Sequence, residues 1–375
     1  KFSRIELESE RDDLLAEIAR LEELLGSDVL IRRQVATELE AVADELGTPR
    51  RTVLMNAKPQ PKRSSRASDD ADLQIADAPT VVALSTTGRA VRIDAPAGEE
   101  ITAPARRSKH DAILSTARTT VRGELGALTS AGRLLRFHPV DLPSVPPSSI
   151  SLSAGQRLAD YIGLTDRSEQ ILALVELGSD APVAIGTAQG VVKRIVPQAL
   201  AAKPELDVIS LKPGDRVVGA ATAADDADLV FVTSDARLLR FPASSVRPQG
   251  ASAGGMAGVK LGDGSQSIFF GALSGDGNVV VTISGSASTL DGTDAGRAKI
   301  SDFGEFPSKG RATGGVRAHA FLKGEDRLQL AWAGPDPAYA LDAKGAVSKI
   351  PLTLSKRDGS GQPLEAPVAT IGRAL

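Results

Sequence analysis

Six times along this chain an apolar run leads into Ser, Thr or Asp, two further residues and a small residue, and then a second short run. The turns fall at 85–88, 129–132, 187–190, 233–236, 282–285 and 342–345. In five of the six units the residue four places after the turn is a cation: Arg92, Arg136, Arg194, Arg240 and Lys349. Thr289 takes that place in the fifth unit. Arg89, Arg133 and Arg237 add a cation directly after the turn, and Lys193 precedes Arg194. A cation at one register of a repeated unit forms a ring, and a ring of positive charge suits a phosphate backbone. Such binding is sequence-independent and salt-sensitive, bending a duplex around a perimeter rather than reading its base edges. The bland alternative is that these side chains solubilise strand ends and blunt sheet edges. Aromatic residues make up only 3% of the chain and do not interleave with the cations, which argues against stacking on single strands.

Two glycine-rich basic segments, 247–259 and 309–317, lie between units and carry Arg311 and Arg317. Either could bring backbone N–H groups close to phosphates, or serve as an ordinary connection. Catalytic constellations are missing. The histidines His110, His138 and His319 are scattered without metal-ligand spacing, so solvated or structural roles are expected. No phosphate-binding loop, nucleophile elbow or zinc-protease motif occurs. Tyr161 and Tyr339 are nucleophiles by type, but both sit in apolar segments and read as packing residues.

The elements that must hold these residues follow from periodicity. Leu14, Ile18, Leu21 and Leu25 repeat at helical spacing, Gly26 to Asp28 interrupt, and Val35, Leu39, Val42 and Leu46 repeat it again. An antiparallel helical hairpin over 1–55 is expected, either generic or a coiled-coil arm. Residues 56–72 are polar and rich in Pro and Ser, the composition of a linker. From 73 to 375 the period changes to two, and each turn motif predicts a β-hairpin whose glycine supplies positive φ. Ala236 is the departure, implying strain there or a left-handed Asp235. Six hairpins of about fifty residues each predict six radially arranged sheets, a propeller-like fold that is mainly β.

Charge is distributed unevenly. The chain of 375 residues carries −3 overall, with an acidic helical part and a local cationic excess over 78–140. No run of eighteen apolar residues spans a membrane, and zero cysteines exclude disulfides and thiolate chemistry. The opening residues, Lys1 to Arg4, lack a signal peptide and an initiator Met, which reads as a fragment beginning inside a longer cytoplasmic polypeptide.

The helical runs 14–27 and 37–52, the latter ending Gly-Thr-Pro-Arg-Arg-Thr, followed by six such hairpins, resemble the A subunits of gyrase and topoisomerase IV, the bacterial type IIA DNA topoisomerases. The resemblance implies a six-bladed β-pinwheel preceded by an N-terminal α-helical hairpin, the helical end of the breakage-reunion core beside its exit gate. It implies double-stranded DNA as partner, a homodimer of A subunits and an ATPase B subunit in an A2B2 complex. ATP and magnesium would be used by the rest of the parent enzyme, and the cleaving tyrosine would lie outside these residues. A cytoplasmic, nucleoid-associated location follows. Gyrase carries a basic box, Gln-Arg-Arg-Gly-Gly-Lys-Gly, on the first blade; the matching stretch at 105–111, which also contains Lys109, keeps both arginines, Arg106 and Arg107, but loses the Gln and every glycine and gains Asp111. Lost glycines mean lost backbone approach to phosphate, so a topoisomerase IV-like protein is expected over a gyrase one.

Overall fold

The computed structural model describes residues 4–47, 77–94, 101–289 and 294–375. The chain divides into two units, 1–70 and 71–375. The expected linker at 56–72 and most of the segment 47–52 lie outside the described residues.

In the first unit α1 (Arg4–Leu25) and α2 (Asp28–Leu46) meet at Gly26 and Ser27. The two apolar stripes read from the sequence lie on these helices, and neither helix buries a residue.

The second unit is built from hairpins, and their strands are Pro79–Ser85 with Arg89–Ile93, Leu125–Thr129 with Arg133–Phe137, Val183–Thr187 with Val191–Ile195, Asp228–Thr233 with Arg237–Pro242, Asn278–Gly285 with Arg297–Asp302, and Ala338–Leu341 with Val347–Ser348. These define blades 1 to 6. Each first strand also pairs with a third strand on its other side, from Ile113–Thr120 in blade 1 to Thr370–Arg373 in blade 6. Blades 1 to 5 gain an outer strand that the chain supplies only after forming the next hairpin. Thus Glu205–Asp207 leaves blade 3 and returns to blade 2, and Val316–Arg317 leaves blade 5 and returns to blade 4. Every one of these blades is therefore laced to its successor.

Positive φ sits where the turn chemistry requires it, at Gly88, Gly132, Gly190, Gly296 and Gly345, with φ between 69 and 79°. Ala236 adopts it too, at 60°, so the strain falls on Ala236 itself and not on Asp235. The fifth turn corrects the sequence reading. Its first strand runs through Gly285, and the turn glycine is Gly296, which follows a longer loop. The carbonyl of each turn residue then accepts a backbone N–H from the returning segment: Leu158 to Gly88, Val208 to Gly132, Gly258 to Gly190, Ala318 to Ala236, Leu364 to Gly296 and His110 to Gly345, all within 2.8–3.0 Å.

Apolar clusters fill the wedges between successive blades, as where Phe231, Phe241 and Phe270 join Val192 and Leu239 between blades 3 and 4. Blade 6 reaches blade 1 through the pairing of Arg373 with Ile113, which merges their sheets and closes the ring.

Candidate nucleic-acid interface

The repeated cations are where the sequence puts them, at the end of each hairpin, but most are spent inside the fold. Arg194 has a side chain only 1% exposed and donates to the carbonyls of Ala243 (2.9 Å), Val246 (3.1 Å) and Ala223 (3.0 Å), with Asp225 at 2.7 Å. Arg92, 12% exposed, donates to the carbonyls of Pro139 and Val140 and pairs with Asp94. Arg136, also 12% exposed, pairs with Glu124 and reaches the Ala201 carbonyl. Arg240, 22% exposed, lies 4.7 Å over the Phe303 ring and faces the Phe303 carbonyl and Asp228. In three of the four cases at least one partner carbonyl belongs to a short 3-10 turn after the next blade's hairpin, at Pro139–Asp141, Ala243–Ser245 or Phe303–Glu305. Arg136 does the same just beyond Pro197–Ala199. These arginines stitch blade to blade. The expected ring of free charge at this register is therefore corrected: a guanidinium already holding buried carbonyls cannot leave them without stranding polar groups. Lys349 alone of the five is exposed, and blade 5 has Ile300 at that place.

The cations next to the turns divide. Arg133 is held by Glu169 and Glu205, whose hydrogen bonds raise its pKa, and Arg89 donates to the Gly155 carbonyl. Arg237 remains 52% exposed, with Asp235 at 3.5 Å. Lys193 is fully buried and its Nζ donates to the carbonyls of Val208, Ala251 and Ala253 at 2.7, 2.9 and 2.7 Å. Burial pushes its pKa down to about 8. Lys299 of blade 5 shares that register, donating to the carbonyls of Lys356 and Arg357. Sequence reasoning missed the pairing of Lys193 with Lys299, although a Lys three residues after a turn glycine was the available signal once Gly296 is taken as the turn.

The stretch 105–111 is likewise committed. Arg107 pairs with both oxygens of Asp111 (2.7 and 2.9 Å), lies 3.7 Å over the Tyr339 ring and donates to the Ala340 carbonyl. His110, at φ 66°, bonds Thr87 through Nδ1 and Gly345 through its N–H. Blade 6 has no outer strand among the described residues, and this segment stands in its place. Arg106 and Lys109 remain exposed.

Also open on the rim is the pair of glycine-rich segments. Arg247, Lys260, Lys309 and Arg317 are exposed, while Arg311 is half-buried and donates to the Ala257 carbonyl. Tyr161 packs edge-on against Phe137 and its OH donates to the His138 carbonyl, a packing role as expected. No group of three or more metal-ligating side chains occurs among the described residues.

The profile of the DNA gyrase C-terminal domain, a beta-propeller, matches residues 227–270 and 292–328, which fall on blades 4 and 5. The A subunit of DNA gyrase from Mycolicibacterium smegmatis is 25% identical over 377 residues, taking in 96% of this chain and 42% of that protein. Its Escherichia coli K12 counterpart is 26% identical over 192 residues, 50% of this chain and 20% of that one. The chain is similar to the A subunits of DNA gyrase, a bacterial type IIA DNA topoisomerase. The fold agrees: a solved C-terminal domain of DNA topoisomerase IV superposes with a TM-score of 0.60 at 21% identity, covering 80% of this chain and 94% of that one. A DNA gyrase A C-terminal domain gives 0.54 at 16%, covering 79% and 100%. The chain spans 42% of the Mycolicibacterium smegmatis protein, and the solved structures it superposes on are C-terminal domains.

Proposed function

We propose that this chain is the C-terminal part of a type IIA topoisomerase A subunit. The module binds duplex DNA without sequence preference and bends it for strand passage by its parent enzyme. The observation that supports this best is the pinwheel of a gyrase A relative carrying an exposed basic rim at Arg247, Lys260, Lys309 and Arg317. Within the parent, the module works beside its dimer mate and an ATPase B subunit on the bacterial chromosome, while ATP and magnesium act elsewhere in the complex. Phosphate contacts release counterions, so log affinity for a labelled duplex falls linearly with log salt, by about 0.9 per phosphate neutralised. An anisotropy titration from low to physiological salt reads this directly, and no affinity at low salt, or a flat response, sinks the proposal. In that case the disc is a protein-interaction surface.

The finer reading is a topoisomerase IV-like module rather than a gyrase one. It is supported by the stretch 105–111, whose Arg107 is engaged by Asp111 and Tyr339 and whose glycines are gone. A nicked circle bound by the chain and then ligated is expected to trap little linking difference. A substantial positive difference would point to gyrase-type wrapping.

A further inference from the structure

The rim is not uniform. The stretch 142–160, which supplies the outer edge of blade 1, sets Arg157 against Asp160. The equivalent stretch 200–210 of blade 2 sets Lys203 against Glu205 and Asp207. By contrast the equivalent stretches 246–260 of blade 3 and 306–320 of blade 4 contain cations and no acidic residue. We infer that duplex DNA is gripped along one arc of the pinwheel, the outer edges of blades 3 and 4, with the rest of the rim making little contact; this rests on the DNA-binding reading above.

Four features of the arc agree. Its two loops form one surface, since the Lys260 N–H donates to the Thr313 carbonyl at 3.0 Å and the Ala312 N–H to the Gly258 carbonyl at 2.7 Å. The loops also carry unforced glycines at one shared position. Gln249 and Lys309 donate to Arg194 and Arg240 in the same register, so Gly250 and Gly310 correspond. Neither has positive φ, and a Cβ at either would meet nothing within 4 Å, so the fold itself asks for glycine at neither. A bare backbone there admits a phosphate. Third, Arg237 stands directly opposite Arg317 on the outer ladder of blade 4; Arg89 stands opposite Arg157 in the same way on blade 1, but there Arg89 is engaged by the Gly155 carbonyl, whereas Arg237 is 52% exposed. Like charges opposed across a ladder cost stability, and an anion shared between them offsets the repulsion. Finally, Lys193 turns the carbonyls of Ala251 and Ala253 inward onto its Nζ, which keeps those oxygens away from a bound phosphate.

The test compares two charge-reversal variants of the full chain by anisotropy on a labelled 40-base-pair duplex, with circular dichroism to check folding. The first carries Arg247→Glu, Lys260→Glu, Lys309→Glu and Arg317→Glu; the second carries Arg106→Glu, Lys109→Glu, Arg157→Glu and Lys203→Glu. The arc variant is expected to lose on the order of 100-fold or more in affinity at low salt, with the salt slope reduced by about 4, and the second variant less than about tenfold. Equal losses, or a larger loss in the second, overturn the arc. Absence of binding by the wild type is a different result and removes DNA binding altogether. Should four reversals unfold the chain, Gly250→Glu with Gly310→Glu decides: both side chains enter open space, and unchanged affinity overturns the inference while a loss of about tenfold supports it.

Discussion

His319 shows how a single buried side chain can hold an outer strand to a blade. Its Nδ1 bonds Thr282 Oγ1 at 2.9 Å, and its Nε2 accepts the Gly361 N–H at 3.1 Å, one residue before the outer strand of blade 5. A nitrogen that accepts cannot carry a proton, so the ring is neutral. Burial, reinforced by the nearby charges of Lys299 and Arg297, pushes its pKa down to about 4. The unfolded chain has an ordinary histidine near 6.5, so between about pH 6.5 and 4 the unfolded state binds more protons. Stability is therefore fully present above 6.5 and is lost as pH falls toward 4, by about 1–3 kcal/mol in all. Urea midpoints measured at pH 7 and pH 4.5 are expected to separate more for the wild type than for His319→Gln. Equal pH dependence in the two proteins would show that another group carries it. Spacing along the chain does not hint at this: three scattered histidines look alike until Gly361, 42 residues away, comes to lie against one of them.

Hairpins were legible because their information is local. A polar residue, two more and a glycine fix a turn by themselves, and the alternation around them fixes the strands. The fifth unit misled for the same reason: Thr282 to Gly285 satisfies the local pattern, yet the strand continues and the glycine that adopts positive φ is Gly296. The strand-end cations were also legible as a repeat, but not in their role. Arg194 finds its carbonyls at Ala223, Ala243 and Val246, brought to it by the lacing of blade 3 to blade 4, and no spacing rule reports that. Conversely, the two segments 247–259 and 309–317 were recognisable as basic and glycine-rich from composition alone. What the fold added was that they lie side by side and that their glycines at 250 and 310 are not demanded by packing.

Closure of the ring depends on a segment that replaces a strand. In blades 1 to 5 an outer strand arrives from the following hairpin, but blade 6 has no following hairpin except that of blade 1, so the segment leaving blade 1 must serve. Here it does so through His110 to Gly345, Arg107 to Asp111, Tyr339 and Ala340, and the short pairing of Arg373 with Ile113. That is a thinner seam than the laced joints elsewhere. In a ring whose blades touch only their neighbours, a weakened joint should open locally and leave the others intact. Asp111→Ala removes the carboxylate that orients Arg107 and caps the Ser108 N–H, at a cost of about 1–3 kcal/mol. Amide exchange in 101–112, 338–349 and 370–373 is expected to accelerate about tenfold or more, while the hairpins of blades 2 to 4 keep wild-type protection. Unchanged exchange at the seam would mean that the packing of Leu375 against the cluster of Ile113, Ile150 and Leu152 closes the ring without the clasp. Acceleration spread evenly over all blades would mean that the disc opens only as a whole.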